Sequence, residues 1–331
     1  RQQEIKATLY IMLLQKREEN AITLAATANN GRIIEEPFPG GIVSPKGKLI
    51  YIIALVIGIG IPISIIYLLN LLRFRIEGHT DVEKLTTVPI IGDIPLTDAG
   101  KNGTPTIAVR ENDNNIMAET FRSLRTNLLF IMGDPDKKVI LVTSTISGEG
   151  KTFMASNLAV SLALLGKKVI LVGLDIRKPG LNKIFHLSQK EKGITQYLAA
   201  PQSTDLHALI QPSGITSNLD LLLGGPIPPN PTELLARQSL EDTISTLRKE
   251  YDYIVLDTAP IGMVTDTLIL SRVADASIYV CRADYTHKTD YQLINELQEH
   301  HRLPNLCTVV NGIDMKKKKY GYYYGYGKYG K

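Results

Sequence analysis

The chain has 331 residues, 44% of them apolar, 21% charged and 6% aromatic, with a formal net charge of +4. That is room for one full-sized globular domain with additional segments. The six lysines from Lys316 onward, with no acidic side chain among them, account for more than the net charge. The remainder is close to neutral, which excludes the broad basic face of a dedicated nucleic-acid binder.

Residues 1–28 carry Ile5, Leu9, Met12, Leu13 and Leu24 among Lys, Arg, Glu and Gln, the pattern of an amphipathic or coiled helix ending near Asn29-Asn30-Gly31. The stretch "EEPFPGGIVSPKGK" that follows is stiff and rich in Pro and Gly. Leu49 to Leu72 then gives 24 residues without a charge, bounded by Lys46/Lys48 and Arg73/Arg75. At about 1.5 Å per residue such a helix spans the roughly 30 Å hydrocarbon core of a bilayer with some tilt. Pro62 is expected to kink it. Basic residues flank both ends, so the positive-inside rule does not fix its orientation. With Arg1 in place of a starting Met, the sequence is expected to be part of a longer one, and no signal-peptide pattern opens it.

Residues 73–106 read as a juxtamembrane linker with a short extended piece. From Ile107 onward apolar runs alternate with helical patterns. Strands are expected in 137–145, 167–175, 219–225, 251–260, 276–284 and 306–314, with helices such as 152–165 and 232–250 between them. This is a doubly wound, mainly parallel α/β domain over 107–314 with helices on both faces. Cys281 and Cys307 lack pairing or metal spacing and read as buried thiols in a reducing compartment. None of the six histidines has metal-ligand spacing. The tail 315–331 holds Tyr320, Tyr322, Tyr323, Tyr324, Tyr326 and Tyr329 among Gly and Lys with no aliphatic residue after Met315, a composition that builds no core and is expected to be disordered.

The chemistry starts at "TSTISGEGKT" (143–152), which follows a strand and opens a helix. Gly148 and Gly150 let backbone N–H groups turn towards an anion, and Ser147, Gly148, Glu149 and Gly150 form the cradle. Lys151 is placed to reach the β- and γ-phosphates and the Thr152 hydroxyl to ligate Mg²⁺. Thr145 stands where the usual pattern has its first glycine. "YIVLDTAP" ends a strand in Asp257, a second Mg²⁺ carboxylate, and "VILVGLDIRKP" ends one in Asp175, able to bind metal or accept a proton. Arg177 is expected either to be a surface charge or to balance phosphate charge. ATP and Mg²⁺ are the implied ligands, and an ATP site puts the C-terminal side of the span in the cytoplasm and residues 1–48 outside.

These motifs together resemble the bacterial tyrosine autokinases of the Wzc-like polysaccharide co-polymerase family, P-loop NTPases similar to the MinD/ParA ATPases. The resemblance places Walker A, A′ and B motifs on 145–152, 169–177 and 253–260, and runs from the outer helix to the Tyr-rich tail. It implies a bacterial inner-membrane protein with a periplasmic co-polymerase end (1–48), a span (49–72), a linker (73–106), a cytoplasmic kinase domain (107–314) and an autophosphorylated tail (315–331). It further implies a homo-oligomeric ring, contacted through Glu119, Arg122 and Arg125, whose spacing lines one helix face. The partners it implies are polymerase and export machinery, an outer-membrane exporter, a tyrosine phosphatase and membrane lipid. Gly173 departs from the family's usual first A′ aspartate and leaves that role to Asp175. A MinD/ParA-like ATPase switch and a non-enzymatic co-polymerase scaffold are the alternative readings; the fused span and tyrosine tail speak against the first.

Overall fold

The structure is a computed structural model that describes residues 1–27, 35, 40, 46–71, 74–96, 106–111, 115–187 and 192–315. The chain divides into two units, Arg1–Leu69 and Asn70–Lys331. The tyrosine cluster expected to be disordered lies outside the described residues.

The first unit is built from two helices, α1 (Gln2–Ala26) and α2 (Gly47–Leu71). No residue of α1 is buried. Within α2, Gly47–Leu68 is long and apolar enough to cross a membrane, with a mean hydropathy of 2.8 and none of it buried against protein. Ile52, Leu55, Ile59 and Ile66 are all exposed. An all-round apolar helix with no protein cover is the arrangement that lipid stabilises. The helix continues through Pro62 as a single element.

The second unit is an eight-stranded sheet of β1 (Ile90–Pro95), β2 (Val139–Ser144), β3 (Val169–Gly173), β4 (Ile210–Pro212), β5 (Leu219–Leu222), β6 (Tyr253–Asp257), β7 (Ala276–Arg282) and β8 (Leu306–Ile313). Its order is β1-β8-β7-β2-β6-β3-β5-β4, parallel throughout except for the β4–β5 pair. Helix α3 (His79–Leu85) precedes β1, and between the strands lie α4 (Ile116–Met132), α5 (Lys151–Ala163), α6 (Leu181–Ile184), α7 (Ile194–Ala199), α8 (Pro231–Leu235), α9 (Gln238–Glu250) and α10 (Asp266–Leu270), with further short helices after β7. Side chains alternate between two cores. Ile140, Val142, Val169 and Leu171 pack with Phe121, Leu124 and Leu128 of α4 and Leu158 of α5. Val139, Leu141, Ile170 and Val172 pack with Leu240, Ile244 and Leu247 of α9. Burial on both faces explains why β2 opens with a continuous apolar run, Val139 to Val142, with no alternation of polarity.

Two sequence expectations change. The stretch 73–106 contains the helix α3 and the edge strand β1, which pairs with β8 from Ile90↔Thr308 to Pro95↔Ile313. Pro89, Gly92 and Pro95 gave it the look of a linker. Prolines are tolerated at the ends of an edge strand, and Gly92 lets Leu124 approach closely, where an added Cβ would lie 3.3 Å from it. The globular unit therefore begins well before Ile107. The helix expected over 232–250 is two, α8 and α9, separated where Arg237 adopts an extended conformation and caps α9.

Candidate active site

The C-terminal ends of the parallel strands gather the predicted residues. Between β2 and α5, Gly148 and Gly150 take φ values of +94° and +101°, the left-handed region where a side chain is strained. At Gly148 an added Cβ would also lie 2.7 Å from the Tyr285 hydroxyl. Three successive carbonyls of the loop are held from outside. Tyr285 Oη donates to Ser147 O at 2.9 Å, Arg282 Nη1 to Gly148 O at 3.1 Å, and Asn311 Nδ2 to Glu149 O at 2.8 Å. Fixing the carbonyls on one side turns the N–H side of the loop to the other, the concave donor set that suits a phosphate. Lys151 opens α5 and is 6% exposed. The Glu149 carboxyl does not join this cradle; it is fully buried and bonded to Ile146 N–H and the Thr286 hydroxyl.

Strand order brings the two carboxylates beside that loop. Asp257 is aligned with Val142 of β2 on one side and Gly173 of β3 on the other. The N–H groups of Leu174 and Asp175 donate to Asp257 O at 2.8 and 2.9 Å. Asp257 is 1% exposed, and its Oδ1 has no hydrogen-bond partner. Burial pushes its pKa up to about 7, against the pull of the Lys151 charge and the Thr152 hydroxyl and with a further push from Asp175. Burial raises Asp175 as well, opposed by the Lys178 N–H at 3.0 Å and by Lys151. An orphaned buried carboxylate oxygen, a second carboxylate and the Thr152 hydroxyl are hard oxygen donors that fit Mg²⁺, which takes one or two carboxylates and completes its shell with water and phosphate oxygens. Among the described residues no cluster of three or more His, Cys, Asp or Glu could hold a metal unaided.

Arg177 is placed differently from the phosphate contact considered above. Its Nε and Nη2 bond Asp266 at 2.7 and 3.1 Å, and Nη2 also reaches Thr232 at 2.8 Å. Asp266 is fully buried, so the pair ties the loop after β3 to α8 and α10. On α4, Glu119 and Arg122 pair with each other, both about two-fifths exposed. Arg125 instead donates to Ser161 O of α5, inside its own chain. Sequence reading missed Tyr285, Arg282, Thr286, Asn311 and Asp266. They lie more than 80 residues from their partners, and only the β2–β7–β8 adjacency brings the first four to the loop.

Comparison with known proteins bears on the fold that carries these residues. A family model described as an AAA domain matches residues 137–306. The tyrosine-protein kinase CpsD of Streptococcus pneumoniae is 39% identical over 214 residues, covering 64% of this chain and 92% of that protein. The chain belongs to the bacterial tyrosine-protein kinase family. The Escherichia coli tyrosine-protein kinase Etk is 27% identical over 344 residues, 97% of this chain and 46% of that protein. The solved kinase domain of Etk superposes with a TM-score of 0.61 at 27% identity, covering 72% of this chain and 95% of that domain. The chain spans less than half the length, 44% to 46%, of relatives that match it from end to end. The P-loop α/β sheet is thus the family's kinase fold.

Proposed function

We propose that this chain carries the catalytic part of a membrane-anchored, ATP- and Mg²⁺-dependent protein-tyrosine kinase that phosphorylates its own C-terminal tyrosine cluster between copies and so regulates capsule or exopolysaccharide production. The observation that supports it most is the orphaned Asp257 oxygen beside Lys151, Thr152 and Asp175, in one chain with a tail of six tyrosines. In the reaction the phenol oxygen of a tail tyrosine bonds the γ-phosphorus, the bridge to the β-phosphate breaks, and ADP departs. Asp175, its proton affinity raised by burial, takes the phenol proton. Lys151 and the loop N–H groups hold the charge on the phosphates, while Thr152 and Asp257 hold the metal. Magnesium, when bound, neutralises charge on the β- and γ-phosphates. In this reading α2 crosses the inner membrane, with residues before it periplasmic and the sheet cytoplasmic.

The test is purified full chain incubated with Mg·ATP and probed for phosphotyrosine. Label on the tail supports the kinase; ATP hydrolysis without phosphotyrosine would give the ATPase switch instead. Assembly is testable separately. Arg122→Ala with Arg125→Ala is expected to leave a smaller species by light scattering in ADP and at least tenfold less tail label. The Arg125 half of that change also loses its bond to α5, so Arg122→Ala alone, which leaves it in place, isolates the contact between copies. Unchanged size in both variants would put the contact elsewhere.

A further inference from the structure

A carboxylate inside an anion-binding loop opposes its ligand by charge. Glu149 is such a residue, yet its carboxyl is turned into the protein and fully buried. Oε2 accepts from Ile146 N–H at 2.8 Å, closing the loop on itself across three residues. Oε1 accepts from the Thr286 hydroxyl, which lies 137 residues away in sequence. That hydroxyl is itself fixed. Thr286 Oγ1 accepts from Arg282 N–H at 2.8 Å, the Thr286 N–H donates to Arg282 O at 2.9 Å, and the Thr286 carbonyl accepts from Ile76 N–H at 2.9 Å. The same turn supplies Arg282 and Tyr285, which hold the carbonyls of Gly148 and Ser147. One rigid turn therefore grips the phosphate loop at three consecutive residues, and the Glu149–Thr286 bond is its buried anchor.

We propose that Glu149 and Thr286 are a positioning pair for nucleotide, setting the loop's N–H groups in register before phosphate arrives. The proposal deepens the reading of this loop as a nucleotide site and rests on it. The pair acts through Ile146 and the loop backbone and touches no substrate. A preset loop spares the ligand the cost of ordering it, so the pair governs affinity more than turnover.

The experiment measures binding of fluorescent methylanthraniloyl-ADP with Mg²⁺ to full chain in detergent, with the melting temperature of the nucleotide-free protein beside it. Thr286→Val and Glu149→Ala are each expected to weaken binding by about 10- to 100-fold: both lose the bond between the pair, the first also losing the acceptor of Arg282 N–H and the second that of Ile146 N–H. KM for ATP should rise by a similar factor with kcat little changed. Thr286→Ser keeps the donor, and Glu149→Gln keeps an acceptor for Ile146 and an amide that donates to the threonine oxygen. Both are expected to bind within about threefold of the parent, a change worth less than one such bond. The double variant Glu149→Ala/Thr286→Val should lose less affinity than the two single losses combined, because the bond between the pair is removed only once. Parent-like binding by Thr286→Val, equal losses in Thr286→Ser and Thr286→Val, or additive losses in the double variant would each overturn the pairing. A fall in the melting temperature of Thr286→Val that matches its lost affinity would overturn it too, leaving the residue a merely structural part. A parent chain that binds no nucleotide would instead overturn the reading of the site itself.

Discussion

Lys151→Met protein is expected to carry no detectable phosphotyrosine, a loss on the order of 10²- to 10³-fold or more in rate, while keeping its fold. Lys151 sits at the first position of α5, where its charge adds to the positive end of the helix and to the N–H groups of the loop. Its field already acts on Glu149, Asp175 and Asp257, lowering the proton affinity of all three. Methionine retains the aliphatic length and removes only the charge, so packing changes little. What is lost is the group that meets the negative charge building on the phosphates. Mixing this inactive chain, tail intact, with an active chain lacking residues 320–331 tests the direction of transfer. Label is then expected on the Lys151→Met partner, because its own site is dead and the active chain has no tyrosines in its tail. An unlabelled inactive partner would make transfer intramolecular; full activity of Lys151→Met alone would remove the lysine from the mechanism.

Much of this site was legible because its residues are coupled to elements that announce themselves. Lys151 and Thr152 follow a strand and glycines, and Asp257 ends an apolar run, so local sequence placed each of them. The six main strands were visible for the same reason: apolar burial on both faces leaves an uninterrupted hydrophobic signal. The short extended piece in 73–106 was legible, but its place in the sheet as β1 was not, because an edge strand tolerates prolines that would rule out a central one. Nothing in the sequence singles out Asp266; the fold puts it in the first turn of α10, buried against Arg177. The grip of Arg282, Tyr285 and Thr286 on the phosphate loop leaves no local trace either. It arises from β7 lying next to β2, a pairing of segments far apart in sequence that runs from Ile140↔Ala276 to Ser144↔Val280. Glu149 looked like a member of the cradle since its backbone is one; the direction of its side chain is set by those distant partners.

Asp257→Asn is expected to make the nucleotide-free protein more stable at pH 8 and the kinase inactive. The folded protein holds the Asp257 carboxyl at about 7, well above its ordinary value of 3.8. The folded state therefore keeps a proton that the unfolded chain has already released between about pH 4 and pH 7, and stability falls as pH rises through that window. Above it the full cost of a buried, incompletely bonded carboxylate is present, on the order of 4 kcal/mol. Asparagine is neutral at every pH, and its oxygen still accepts from Thr152. The variant should match the parent near pH 4, separate from it as pH rises and melt higher at pH 8. Adding Mg·ADP reverses the ranking. The parent gains stability because metal charge compensates the carboxylate, whereas the variant, having lost that ligand, gains much less. Melting curves at pH 5 and pH 8, with and without Mg·ADP, decide both halves. Parallel pH profiles for the two proteins would mean that Asp257 is not the strained group, and an equal gain from Mg·ADP would move the metal off it. A residue whose removal strengthens the fold and destroys activity holds its charge for the ligand, which is the signature expected of Asp257.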